Sequence, residues 1–427
     1  MDKNKVKLSK LISDELLIQC IHCGICLSVC PTYDITKLER SSPRGRLRLI
    51  KAFANNEQTL GKLFEEEMSF CLGCRACETA CPAGVKYDYI HIKVKNILNK
   101  KIKFNFKKNA VKYFLNKILA NSSKLKFYAY LLSYYQKSWF RKFLHETFLL
   151  RNISINLFLM DELSPRISKK PSDELIDEII ISENVQKYNV AFHVGCIMNV
   201  AFAGINLATI NILKKSSCKI YTPKNQNCCG ALQAHNGELS TAKKLAKQNI
   251  DLFEKYDYDF LISNSAGCGA FMKEYSELLQ DDSEYFEKAT KFSSKIKDIT
   301  EFLTENNVHF KFKKIADTLT YHDACHHVHG QGIFNQPREI LSEIKGCRLN
   351  EMNESTTCCG SAGIYNLLRQ KDSMELLDKK MRNIVDTKAK IVLTGNPGCL
   401  IQLKYGVKKY KYDINIKHIV NYLDEIV

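Results

Sequence analysis

The sequence predicts an α+β chain of several domains. A mostly helical N-terminal domain is built around cysteines, a helical connecting stretch follows, and two duplicated α/β modules with parallel sheets complete the chain. Three observations predict this. Eight of the eighteen cysteines lie before residue 82, in two copies of one motif. Residues 99–186 contain no cysteine and many lysines. Beyond them, Cys196, Cys228 and Cys268 recur as Cys325, Cys358 and Cys399 at offsets of 129, 130 and 131 residues. An offset so steady over three landmarks marks an internal duplication. The boundaries that follow are 1–98, 99–186, 187–314 and 315–427.

A chain of 427 residues has room for more than one core. Its hydrophobic fraction of 45% and charged fraction of 26% are those of soluble globular protein. No run of about eighteen apolar residues is present to span a bilayer. The stretch Met1–Lys10 is charged and lacks an apolar signal core. A cytoplasmic protein is therefore expected. Thiols stay reduced in that compartment, so ordered cysteines there point to metal ligation rather than to a disulfide scaffold. Only Cys218 and Cys347 stand outside a motif, each at the start of an apolar strand, and both are expected in the core.

In the first domain Cys20-x-x-Cys23-x-x-Cys26-x-x-x-Cys30-Pro31 is repeated as Cys71-x-x-Cys74-x-x-Cys77-x-x-x-Cys81-Pro82. Two-residue gaps let one tight loop wrap three irons of a cubane, while the fourth cysteine, followed by Pro, reaches the other cluster. That logic gives Cys20, Cys23, Cys26 and Cys81 to one [4Fe–4S] cluster and Cys71, Cys74, Cys77 and Cys30 to a second, a bacterial-ferredoxin-type arrangement. The small residues Gly24, Gly73 and Ala76 leave backbone N–H groups free for the sulfurs. Zinc would require neither the third cysteine nor the terminal proline. Between the motifs, Ser42 before Pro43 predicts a helix start, with Arg44, Arg46 and Arg48 read as a solvated helix face.

From His91 to Arg151 there are fifteen Lys or Arg and one acid, Glu146, together with many aromatics and the single Trp139. Basic, aromatic, helical sequence suits an anionic membrane surface or an acidic partner. Drift toward Lys, Asn, Ile, Phe and Tyr, abundant throughout, accounts for it equally well. No nucleic-acid recognition module is visible.

Each repeat reads as strands alternating with helices, which favours parallel sheets. Expected strands are 190–194, 219–222 and 260–263, then 319–321, 348–350 and 391–394, with helices over 242–253 and 374–384. The cysteines then fall just past strand C-termini, where open α/β sheets place ligands. The repeat cysteines are Cys196, Cys228-Cys229-Gly230 and Cys268, then Cys325, Cys358-Cys359-Gly360 and Cys399. Adjacent cysteines cannot easily pair with each other. They read as further metal centres or as a redox-active thiol site. Among the nearby histidines, His322 and His326 are candidate ligands or proton relays, and His193, His327 and His329 are expected to be structural. Gly330-Gln331-Gly332 lacks the third glycine of a dinucleotide fold, so this chain is expected to bind neither flavin nor nicotinamide and to need a flavoprotein partner.

At these residues the chain resembles the iron–sulfur subunit of glycolate oxidase (glycolate dehydrogenase). The resemblance rests on Cys20-Ile21-His22-Cys23-Gly24-Ile25-Cys26, Ser42-Pro43-Arg44-Gly45-Arg46 and Cys71-Leu72-Gly73-Cys74-Arg75-Ala76-Cys77. It continues in Tyr321-His322-Asp323-Ala324-Cys325-His326, Cys358-Cys359-Gly360-Ser361-Ala362-Gly363 and Asn396-Pro397-Gly398-Cys399. It implies a multi-subunit oxidoreductase in which flavin-binding subunits oxidise glycolate to glyoxylate. This subunit, with no substrate-oxidising site of its own, would pass electrons toward a quinone at the inner face of the cytoplasmic membrane. Lys107, Lys108, Lys112 and Lys117 would carry charge for docking there. The repeats, which resemble cysteine-rich (CCG) domains, are also similar to those of heterodisulfide reductase. There a further cysteine follows the last one, where this chain has Phe271 and Gln402. A disulfide- or thiol-reducing enzyme, or the same relay serving lactate or glycerol 3-phosphate, are the alternatives.

Overall fold

The computed structural model describes residues 14–55, 61–101, 106–182 and 185–427. It divides into two compact units, Met1–Lys112 with Leu232–Ser240, and Tyr113–Ala231 with Thr241–Val427.

In the first unit three helices surround one apolar core. Pro43–Ala54 begins where Ser42 Oγ accepts from the Gly45 amide at 3.0 Å, a side-chain cap that satisfies one orphan N–H. Leu47 and Ile50 of that helix meet Phe64 and Met68 of Lys62–Phe70, and Ile90, Val94 and Ile97 of Tyr87–Lys101. Gly45 can be nothing larger, since a Cβ there would lie 1.9 Å from the Glu39 carbonyl oxygen. The helix Tyr87–Lys101 runs unbroken through the boundary read at 98/99 because its last turns bury Ile97 and Leu98 in the same core. The segment Leu232–Ser240, read as part of the first repeat, also packs here. Lys95 Nζ donates to the His235 carbonyl at 3.1 Å and Asn99 Nδ2 to that of Asn236 at 2.6 Å.

The second unit opens with a π-helix, Phe114–Leu119, followed by the helices Ser122–Lys137, Trp139–Glu146, Leu149–Ile153 and Ile155–Glu162. Two sheets follow. The first contains β1 (Ile179–Ile180), β2 (Tyr188–Phe192), β3 (Cys218–Tyr221), β4 (Phe260–Ser263) and β5 (Ile296–Asp298), in the order β1-β3-β2-β4-β5. The second contains β6 (Thr318–Tyr321), β7 (Arg348–Leu349), β8 (Ile391–Thr394) and β9 (Asn415–His418), in the order β7-β6-β8-β9. Removing β1 leaves the same order twice, so the duplication seen in cysteine spacing extends to topology. The sheets are parallel as expected, except that β1 adds an antiparallel edge to β3. The expected strands lie within two residues of those observed; β1, β5 and β9 were not foreseen.

The two modules share a core that includes Val190, Phe192, Ile262, Leu319, Leu393 and Leu423. Buried polar contacts lock them together. His327 Nε2 meets Asp298 Oδ2 at 3.0 Å, and His418 Nε2 meets the Asn264 carbonyl at 3.0 Å. Asp298 and His418 are equivalent, each ending the last strand of its module and capping the next helix. Burial opposes the charge of Asp298, yet His327 and Thr300 hold its carboxyl below the usual range. Cys218 is fully buried as expected, whereas Cys347 is only half-buried.

Candidate metal centres

None of the eighteen cysteines is in a disulfide. In the first unit, each motif wraps its first three cysteines by left-handed backbone. His22 and Gly24 take φ of 55° and 86°; fifty-one residues on, Gly73 and Arg75 take 63° and 66°. Glycine adopts this conformation freely, while for Arg75 it costs about 1–2 kcal/mol. Arg75 is held there by Glu78, at 2.7 Å, whose other oxygen accepts the Asp88 amide at 2.7 Å. The expected amide donation to sulfur occurs at Gly73, 3.4 Å from Cys71 Sγ.

Cys30, Cys71, Cys74 and Cys77 line one mostly apolar hollow, beside Arg46 and Tyr87. Burial, then the neighbouring Cys74 and Cys71, push the Cys77 thiol well up, and Cys30 adds to this. Cys30 therefore stands with the second loop, not only with its own motif. The other set is drawn together by Gln19, whose Nε2 donates to the Ala83 carbonyl at 2.8 Å, tying the chain after Cys81 to the residue before Cys20. Burial raises the Cys26 thiol too, with Cys20, Cys30 and Cys23 adding to it.

The reading of Arg44, Arg46 and Arg48 as one solvated face is corrected. Arg48 is exposed, but Arg46 is fully buried. Its Nη2 donates to Thr32 Oγ1 at 3.0 Å and its Nε to the Glu67 carbonyl at 2.8 Å. Burial works against its charge, but Tyr87, Cys71, Cys30 and Glu67 hold the guanidinium above its ordinary range. Arg44 reaches back to the His22 carbonyl at 2.9 Å and to Glu39 at 2.6 Å. The signal was present: a helix starting at Pro43 puts Arg46 on the side of Leu47 and Ile50.

In the second unit the repeat cysteines converge just past the strands. Cys196 Sγ and Cys228 Sγ are 3.4 Å apart. Cys229 bridges Cys228 and Cys268. Cys358 contacts Cys325 and Cys359, and Cys359 contacts Cys399. Gly230 and Gly360, at φ of 94° and 89°, turn the chain so that their amides face Cys228 and Cys358 sulfurs at 3.5 Å. The thiols of Cys196, Cys229 and Cys325 are pushed well up by the neighbouring sulfur and by burial. Cys359 also rises, through Cys399 and burial, although its bond with Cys358 opposes this. Thiolates so crowded repel one another and require a cationic core to exist together. The donor sets thus fit iron–sulfur centres, which bind thiolate.

His322 joins the second of these sets: a ring nitrogen lies within 4.8 Å of the Cys359 and Cys399 sulfurs. Among the described residues His326 does not; its Nδ1 faces Gly267, 3.7 Å from where a Cβ would stand. Burial lowers the pKa of His193 to about 4, although Cys228 and the Asn227 backbone act the other way. Phe271 and Gln402 are buried core residues, and Gln402 Nε2 donates to Ser373 Oγ at 2.9 Å. Lys380, which drew no notice in the sequence, is 2% exposed beside the second thiol set. Burial lowers its ammonium to about 8 against the pull of Cys359, Cys358 and Cys399.

Comparison with known proteins finds the same two kinds of domain. A 4Fe-4S dicluster domain matches residues 16–85, and a cysteine-rich domain matches twice, over 190–273 and 319–404. The chain is similar to a probable glycolate oxidase iron–sulfur subunit of Bacillus subtilis, 37% identical over 92% of this chain and 89% of that protein. It is similar to the glycolate oxidase iron–sulfur subunit of Escherichia coli, 28% identical over 92% and 91%. Lactate utilization protein A of Halalkalibacterium halodurans is 29% identical over 55% of this chain and 96% of its own. A crystal structure of a hypothetical protein from Helicobacter pylori shares the fold, with a TM-score of 0.55 at 12% identity over 98% of this chain and 76% of that one. The chain carries two [4Fe–4S] clusters and belongs to the family of glycolate oxidase iron–sulfur subunits.

Proposed function

We propose that this chain relays electrons from flavin-binding subunits, where glycolate becomes glyoxylate, toward a quinone. The clusters would be held by Cys20, Cys23, Cys26 and Cys81 and by Cys71, Cys74, Cys77 and Cys30. Further centres would sit on the two repeat quartets, with His322 in reach of the last. The observation that carries the reading is the hollow lined by Cys30 with Cys71, Cys74 and Cys77. One motif supplies a ligand to the other's cluster, which draws the two clusters close and suits passage of single electrons. The iron–sulfur clusters supply the electron-accepting chemistry; the chain's own part is to fix sulfurs, donate amides and exclude water. Phe271 and Gln402 leave four sulfurs per repeat, which weighs against a heterodisulfide-reductase-type site. Similarity to lactate utilization protein A covers little more than half the chain, so glycolate is the favoured substrate of the complex. The test is quinone reduction by glycolate with the purified flavin subunits, with and without this chain. The expected result is turnover only when both are present. Turnover of a disulfide by this chain alone would overturn the reading.

Docking on an anionic membrane, at the cytoplasmic face, belongs to the same proposal. Tyr130, Tyr134 and Trp139 are each more than 70% exposed, with Phe127, Phe143 and Phe148 exposed nearby and Lys142 among them. Lys142 pairs with Glu146 at 3.6 Å, so the exposed aromatic side chains more than charge suit this segment to a headgroup layer. Among the described residues no helix is long and apolar enough to cross a membrane. The lysines singled out earlier contribute less: Lys108 pairs with Glu65, Lys112 lies 3.6 Å from Glu238, and the side chain of Lys107 lies outside the described residues. Lys108 and Lys112 are exposed in the first unit and Lys117 in the second.

A further inference from the structure

The repeats match in topology, cysteines and glycines, and differ in charge at one buried position. A Cβ on Gly230 would touch Ala242, and one on Gly360 would touch Ser373. Ala242 and Ser373 are therefore equivalent, 131 residues apart, on the helices Leu239–Phe253 and Gln370–Asp386. Seven residues further along each helix stand Asn249 and Lys380. Asn249 is fully buried and neutral. Its Nδ2 donates to the Cys228 carbonyl at 3.0 Å and to Tyr275 Oη at 3.1 Å. Lys380 occupies the same place against Cys358, Cys359 and Cys399. Its ammonium donates to two backbone carbonyls, Glu354 at 2.5 Å and Ser355 at 3.3 Å, not to a carboxylate. The nearest acid side chain, Glu354, turns to Lys379 at 3.0 Å and to Asn383. Lys380 thus sets a cation beside the second quartet with no carboxylate hydrogen-bonded to it, although Glu354 acts on its charge from nearby.

A cation fixed in a dry interior favours whichever neighbouring state carries more negative charge. We infer that Lys380 makes the second repeat's thiolate quartet the better host for an added electron, so that its centre is reduced before that of the first repeat. The inference rests on the reading of both quartets as iron–sulfur sites. It also gives the duplication a use: two similar pockets become an ordered pair through a single residue. The pockets adjoin within the unit, since the Ala266 amide donates to the Gly395 carbonyl at 3.2 Å and the Gly267 amide to Asn396 Oδ1 at 3.3 Å. Cys268 and Cys399 lie on the helices that these contacts join.

The test uses the full chain, prepared anaerobically, with iron measured first and a dithionite titration followed by EPR. Lys380→Met should keep its iron, and one centre should become about tenfold harder to reduce, about 59 mV for a one-electron couple. The N-terminal clusters should not move. Lys380→Arg should restore the original midpoint, which loss of packing alone would not allow. Asn249→Lys is the mirror experiment and should make one other centre easier to reduce; it also decides the matter if Lys380→Met fails to fold. Full iron with no centre shifted, or with every centre shifted alike, overturns the inference. Iron amounting only to the N-terminal clusters would instead overturn the assignment of centres to the repeats, and the inference with it.

Discussion

The two units solve one problem, gathering thiolates, in opposite ways. In the first, three cysteines of each set come from one loop of seven residues, and left-handed residues at two positions per loop do the wrapping. Of the eight cysteines only Cys30 is buried, and little regular structure is needed. In the repeats, each set comes from three separate segments delivered by β2, β3 and β4, or by β6, β7 and β8, and the adjacent cysteines are almost wholly buried. Local gathering leaves the cluster itself as much of the core, whereas delivery by a sheet requires the fold to exist first. The difference predicts which unit depends on its metal.

The largest effect should come from breaking a quartet in each place. Cys77→Ser should remove about four irons and leave the first unit poorly folded, since metal binding there is folding energy. Cys359→Ser should lose its own centre while the second unit keeps its circular dichroism and melting transition. Equal collapse of both units would break the comparison.

Two buried features sharpen it further. Arg46→Met should destabilise the first unit by about 3 kcal/mol, because Glu67 and the Cys30–Cys71 side of the hollow lose their buried cation. Urea unfolding of the iron-loaded chain would measure it. In the repeats, Gly360→Ala should cost more than Gly230→Ala. A Cβ meets the Ser373 carbonyl at 2.5 Å in one and Ala242 at 3.3 Å in the other. The strain of positive φ, about 1–2 kcal/mol, is common to both; the backbone clash is not.

The last effect is absent at neutral pH and appears only in acid. Burial lowers the pKa of His418 to about 4 in the folded second unit, against about 6.5 unfolded. The unfolded chain therefore binds the extra proton between these values. This contribution is absent above about pH 6.5 and grows as pH falls toward 4, where it costs about 3 kcal/mol. Replacing His418 by Asn should flatten that part of the stability profile; an unchanged slope would mean that another group is responsible.

The same contrast explains what the sequence could tell. A loop that wraps a cubane is encoded within about eleven residues, so Cys20 to Cys30 and Cys71 to Cys81 were legible by spacing alone. The repeat was legible through its cysteine offsets, and β4 and β8 through their apolar runs. Strands β5 and β9 were not, because Ile296–Asp298 and Asn415–His418 are mostly polar, with one apolar residue each, and end in a capping side chain. Arg46 and Lys380 were misread or passed over for one reason. Charged residues are usually solvated, and only tertiary packing reveals the buried carbonyls and thiols that hold these two. The pairing of Asp298 with His327 joins residues 29 apart on different modules, and no local pattern carries it.

The most direct test of the relay is one anaerobic single-turnover experiment: the iron-loaded chain mixed with the flavin subunits and glycolate, with visible absorbance followed in time. The iron–sulfur absorbance should bleach after the flavin is reduced and should not bleach with glycolate alone. Flavin reduction that leaves the absorbance of this chain untouched would contradict it.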